Sequence, residues 1–107
     1  MEDRTLNFAK EVIRFIKGLP RGIANAEIAK QLIRSSGPIG ANYIEANESV
    51  SKKGFLMRIK ISRKESKESI YWLKLVETKD QEKSREALIG EATELMKIFG
   101  SIAEKTK

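Results

Sequence analysis

Residues 34–46 read RSSGPIGANYIEA. A Gly-Pro pair ordinarily stops a helix, because proline lacks an amide donor and its ring crowds the carbonyl four residues back. Here the hydrophobic phase argues otherwise. Ile28, Leu32, Ser35, Ile39, Tyr43, Ala46 and Val50 step by three or four residues on both sides of Gly37-Pro38. A turn would let the chain re-enter at an arbitrary angle and would reset that phase. The spacing therefore predicts a single helix from near Asn25, a suitable N-cap, about 25 residues long and on the order of 37 Å at ~1.5 Å per residue. Pro38 is expected to bend it locally, at ~3 kcal/mol in isolation. It shares a polar side with Glu27, Arg34 and Glu45, where water can reach the freed carbonyl of Arg34. Ser36, Gly40 and Ile44 make a neighbouring stripe of smaller residues, a surface on which a second helix can approach closely.

Working outward, the punctuation defines three more helices. The first spans Asp3 to Lys17, with Leu6, Ala9, Val12, Ile13, Ile16 and Leu19 on one broad side, and Gly18 and Pro20 end it. Ser51 caps a third helix that is expected to run to about Lys79. The fourth covers Glu82 to Glu104, with Leu88, Ala92, Leu95, Phe99 and Ile102 inward. Alternating β-branched runs, internal repeats and linkers are absent. The fold class is all-α: residues 1–107 form one domain, an antiparallel up-down four-helix bundle with short connections.

The third helix sorts into three faces at 100° per residue. Phe55, Ile59, Ser62, Ser66, Ile70 and Leu73 form a core stripe. A second apolar stripe holds Met57, Ile61, Trp72 and Leu75, with Glu65 and Glu68 among them. A helix in a monomeric bundle needs one such stripe, so the second predicts an interface with another copy of the chain. Glu65 and Glu68 would orient that contact by pairing with a neighbour's basic residue, Arg58 being one candidate. The alternative is that Trp72 closes the end of the chain's own core.

The remaining sector carries Lys53, Lys60, Arg63, Lys64, Lys67 and Lys74, with Lys52 assisting at the helix start. The chain's formal charge is +6, and residues 51–80 hold 9 basic against 4 acidic groups, which is +5 of that total. Such a stripe suits the phosphates of nucleic acid. Tyr71 is the sector's one aromatic, so no aromatic–basic interleaving points to base stacking, and binding is expected to be backbone-directed and weakly sequence-selective. Two blander readings stand beside it: a solvated lysine face, and a protein-interaction scaffold whose charge serves solubility.

Other classes are disfavoured. The chain has no cysteine and no histidine, which removes thiolate and imidazole chemistry and the usual zinc ligand sets. Ser62, Ser66 and Ser69 lie at helix-packing spacing rather than beside a base. Glu45, Glu48, Glu65 and Glu68 are the carboxylates that could supply oxygen ligands to a metal. Asn42 and Glu45, one turn apart, suit a loop cap or a subunit contact. The expectation is a protein without catalytic activity, cofactor or metal. MEDRTLNF does not read as a signal peptide and no apolar run approaches a membrane span, so a cytoplasmic location is expected.

RSSGPIGANYIEA followed by KISRKESKESIYWLKL resembles the bacterial four-helix-bundle protein family, also described as 23S rRNA-intervening sequence proteins. The resemblance rests on Arg34-Ser35-Ser36, Asn42, Glu45-Ala46, Lys64-Glu65, Glu68 and Tyr71-Trp72-Leu73. It implies a bundle assembled into a ring, a homopentamer in the family's usual form. A related branch, the accessory variability proteins of diversity-generating retroelements, looks like basic pentameric barrels engaging nucleic acid and a reverse transcriptase. The Tyr71-Trp72-Leu73 motif is more similar to the intervening-sequence branch.

Overall fold

The computed structural model describes residues 1–107, in which four helices and no strand succeed one another: α1 (Glu2–Lys17), α2 (Ile23–Asn47), α3 (Lys52–Leu75) and α4 (Glu82–Thr106). Glu2 and Asp3 open α1 and Arg14 and Lys17 close it, matching the sign of the helix dipole at each end. The helix α2 runs unbroken through Gly37-Pro38, as the phase requires. Ser51 caps α3, its Oγ accepting from the Gly54 amide at 3.0 Å.

Two helix limits differ from expectation, and one residue accounts for both. Asn25 is not the N-cap of α2; Gly22 is, without a side-chain bond. Asn25 lies buried in the first turn, where its amide nitrogen donates to the carbonyls of Pro20 (2.9 Å) and Glu77 (3.0 Å). Its Oδ1 accepts from the Glu77 amide at 3.0 Å. This clasp holds the chain just after α3, which ends at Leu75 instead of Lys79. Val76 turns extended there and buries its side chain to 2% exposure. Leaving the helix gains apolar burial, and Asn25 satisfies the backbone groups so released.

Cross-helix contacts fix an antiparallel order. Ser35 faces Ser69, Ile39 faces Ser62 and Asn42 faces Arg58, so α2 and α3 run oppositely. Arg4 meets Glu91 across α1 and α4, and Gln81 reaches the carbonyl of Phe15. The bundle measures 45 × 20 × 20 Å. Its core contains Leu32 and Ile39 of α2, Ile59 and Leu73 of α3, and Leu88, Ala92, Leu95 and Phe99 of α4. The small stripe on α2 receives α1: a Cβ at Gly40 would lie 2.7 Å from Thr5 Oγ1. Ser36 is buried beside it on the same side, while Ile44 stays exposed.

On α1 the buried residues are Thr5, Phe8, Val12 and Phe15. Leu6 (52% exposed) and Ile13 (45%) point outward, contrary to expectation. Two phenylalanine rings bury more apolar area than the aliphatics they displace, and the helix is rotated accordingly. Val50 also lies outside the core, bare beyond the end of α2, and Ile102 is half-buried while Ala103 is enclosed.

Candidate nucleic-acid interface

Lys53, Lys60, Lys67 and Lys74 stand seven residues apart on α3. Each step is ~10.5 Å along the helix, and the row drifts by about 20° per heptad. Arg63 and Lys64 fill the row between Lys60 and Lys67. All six are exposed, as is Lys52 at the helix start. None of the chain's five ion pairs includes one of these cations: the pairs are Arg4–Glu91, Arg14–Glu11, Lys30–Glu27, Arg85–Glu82 and Lys107–Glu104. The cations of this row therefore form no direct ion pair, although the fields of Lys60 and Arg63 reach Glu104 and that of Lys64 reaches Glu65. Lys52 and Lys53 occupy a first turn without any acidic residue, against the preference of the helix dipole, so the positive end of α3 adds to their field.

The helix that carries this row is held from behind. Ser62 Oγ donates to the Ile39 carbonyl at 2.9 Å, Ser66 Oγ to the Ser62 carbonyl at 2.9 Å, and Ser35 and Ser69 share a hydroxyl bond of 2.8 Å. All four serines are buried. Their small side chains let α2 and α3 approach closely, and their hydroxyls are satisfied by the approach.

The fourth helix extends the basic face, which sequence reading missed. Arg63 lies over Gly100, where a Cβ would sit 3.5 Å from the arginine Nε. Lys60 and Arg63 line two adjoining shallow depressions. One, of about 600 Å³, also takes in Lys97, Gly100, Glu104 and Lys107 of α4. The other, of about 510 Å³, takes in Lys64, Lys67, Glu68 and Tyr71. Only the α3–α4 register brings Lys97 and Lys107 to this face; a glycine opposite an arginine is the faint signal that could have found it. The hydrogen bond from Lys107, with the fields of Lys107, Arg63 and Lys60, holds the Glu104 carboxyl below its ordinary range.

The second stripe of α3 is only partly open. Met57 (53%) and Leu75 (49%) are exposed, while Ile61, Glu65, Glu68 and Trp72 are half-buried. Trp72 packs against the chain's own core, and its Nε1 is buried without an acceptor. Burial raises the Glu65 carboxyl above its ordinary range; Glu68 pushes the same way and Lys64 opposes. Arg58 donates to Asn42 Oδ1 at 2.9 Å, and Asn42 Nδ2 donates to the Pro38 carbonyl at 3.0 Å. Arg58 and Asn42 thus bridge α2 and α3 within one chain. Glu45 is exposed. No group of three carboxylates is brought together to hold a metal, so Glu45, Glu48, Glu65 and Glu68 form no such site. No helix is long and apolar enough to cross a membrane. Further exposed aliphatics stand on α1 (Leu6, Ile13) and α2 (Ile33, Ile44).

A family model described as "23S rRNA-intervening sequence protein" matches residues 2–101. No curated protein matches the chain. Among solved structures, the chain is similar to a protein of unknown function from the S23 ribosomal protein family of Bacteroides thetaiotaomicron. The two share 28% identity at a TM-score of 0.80, over 95% of this chain and 96% of that one.

Proposed function

Because the chain belongs to the 23S rRNA-intervening sequence protein family, we propose that it is a non-catalytic, self-associating protein that binds RNA through the α3–α4 basic face. One observation carries the reading: six exposed cations stand along one edge of α3 with no ion pair among them. Unpaired lysines along ~31 Å of helix repel one another. A polyanion relieves that repulsion and releases counterions as it binds. Lys53, Lys60, Arg63, Lys64, Lys67 and Lys74 contact phosphates, Lys52 adds charge at the helix start, and Lys97 widens the footprint. Self-association through the stripe of Met57, Ile61, Glu65, Glu68, Trp72 and Leu75, ring-forming and pentameric, multiplies the field. Met57 and Leu75 are its open elements.

A salt titration of binding to a structured RNA tests the first part. About six phosphate contacts predict a loss of ~10³ in affinity between 50 and 200 mM salt. Changing Lys60, Lys64 and Lys67 together to Gln should lower both affinity and slope. Salt-insensitive binding, or a slope that the triple change leaves untouched, counts against phosphate neutralisation. Sedimentation equilibrium tests the second part, and a monomer at every concentration rejects the ring.

The exposed Leu6, Ile13, Ile33 and Ile44 favour a second reading, a scaffold for a protein partner. A stoichiometric protein that co-purifies with the chain free of nucleic acid would support it.

A further inference from the structure

We infer that Tyr71 is a stacking platform for an unpaired base, so that the basic face takes single-stranded RNA at its Tyr71 end in preference to duplex. The inference rests on the RNA-binding reading of that face and narrows its substrate. Tyr71 is 59% exposed, a large aromatic ring that the core does not use. It lines the same depression as Lys60, Arg63, Lys64 and Lys67. Lys67 lies one turn before it and Lys74 one turn after, each about 5–6 Å away between Cβ atoms. A base laid on the ring thus has a phosphate-binding cation on either side.

The ring is also propped. Trp72 meets it edge-to-face, with centroids 4.9 Å apart and planes at 80°, and Trp72 itself packs against the core. A backed ring loses little freedom when a base arrives. Lysine–phosphate contacts alone do not separate single strand from duplex. A π-face does, because duplex bases already stack on one another and leave no face free. Stacking is tolerant of base identity, so the preference is for strandedness and not for sequence.

The test compares an unstructured 12-nucleotide RNA with the same sequence as a duplex, by fluorescence anisotropy at fixed salt. Tyr71→Ala should weaken single-strand binding about tenfold, within the range measured for base–aromatic stacking, and change duplex binding less than about twofold. Tyr71→Phe should keep wild-type affinity. The salt slope should not move in either variant. Emission of Trp72, the only tryptophan, should change when single strand binds the wild type, and not when it binds Tyr71→Ala. If Tyr71→Ala has no effect, or weakens both RNAs equally, stacking is wrong while phosphate binding survives. If the wild type binds neither RNA, the reading of the whole face fails and Tyr71 fails with it. An unchanged melting temperature separates both outcomes from misfolding.

Discussion

The seam between α2 and α3 and the seam between α1 and α4 join the same bundle by opposite means. The first is closed. Buried serines bond across it, and Arg58 and Asn42 bridge its rim. The second is open. A groove of about 600 Å³ lies between α1 and α4, floored by Phe8, Phe15 and Leu88. Arg4 spans it to Glu91 with bonds of 2.7 and 2.9 Å, and Gln81 ties its far end to the Phe15 carbonyl at 3.0 Å. Rigidity is therefore concentrated where the basic row is mounted. On its α4 side α1 is held across the groove by half-exposed polar contacts, so this seam is expected to open before the other.

Substitutions can break or sharpen this contrast. The largest effect is expected in the closed seam. Ser62→Leu forces a bulky side chain between two helices and removes the additional hydrogen bond to the Ile39 carbonyl. It should cost about 3 kcal/mol or more in urea denaturation. A loss under ~1 kcal/mol would show that the seam yields, and the contrast would collapse.

Glycines report on closeness next. Gly40→Ala drives a Cβ against buried Thr5 and should destabilise by about 1–2 kcal/mol. Gly90→Ala, with nothing within 4 Å of its Cβ, should stabilise α4 by about 0.5–1 kcal/mol through helix propensity alone. Opposite signs in thermal melts are the expected outcome. In the open seam Arg4→Ala should cost less than ~1 kcal/mol, and less again at high salt, because both partners of the pair are about a third exposed. A loss as large as that for Ser62→Leu would overturn the assignment of α1 as the loose edge.

The smallest effect concerns pH. The Glu65 carboxyl is raised in the fold, so the folded chain holds that proton more tightly than the unfolded chain does. Its contribution is fully present below the ordinary glutamate range and declines as pH climbs from there through the raised value. Glu65→Gln should therefore match the wild type in acid and exceed it slightly above that window. Identical pH–stability curves for the two would remove Glu65 from the account.

What the sequence disclosed follows the range of each interaction. Continuity through Pro38 and the Ser51 cap are local, set by phase or by a bond three residues long, and both were legible. The end of α3 was not. The segment after Leu75, VETKD, holds no glycine or proline, and the residue that stops the helix, Asn25, lies 52 positions from Glu77. The inward face of α1 was misread because Leu6 and Ile13 add to an aliphatic count that Phe8 and Phe15 outweigh in area. Lysines at heptad spacing were legible as one row on α3. Lys97 and Lys107 were not, since they reach that row only through the pairing of α3 with α4. Trp72 sits between the two readings considered for it, packed on its own core yet incompletely covered.

The Asn25 clasp has a consequence for the chain's topology. It locks the connections 18–22 and 76–81 together at one pole of the rod, whereas Lys107 and the short turn at 48–51 lie at the other; α1, with 16 residues against 25 in α4, leaves Met1 short of that pole. Joining the two termini with a linker long enough to reach from Lys107 back to Met1, and reopening the chain at Val50, would leave every clasp bond intact. Opening it between Val76 and Gln81 would sever the strap that Asn25 grips. A circular permutant of the first kind should fold as the parent does, and one of the second kind should lose the register between its two halves.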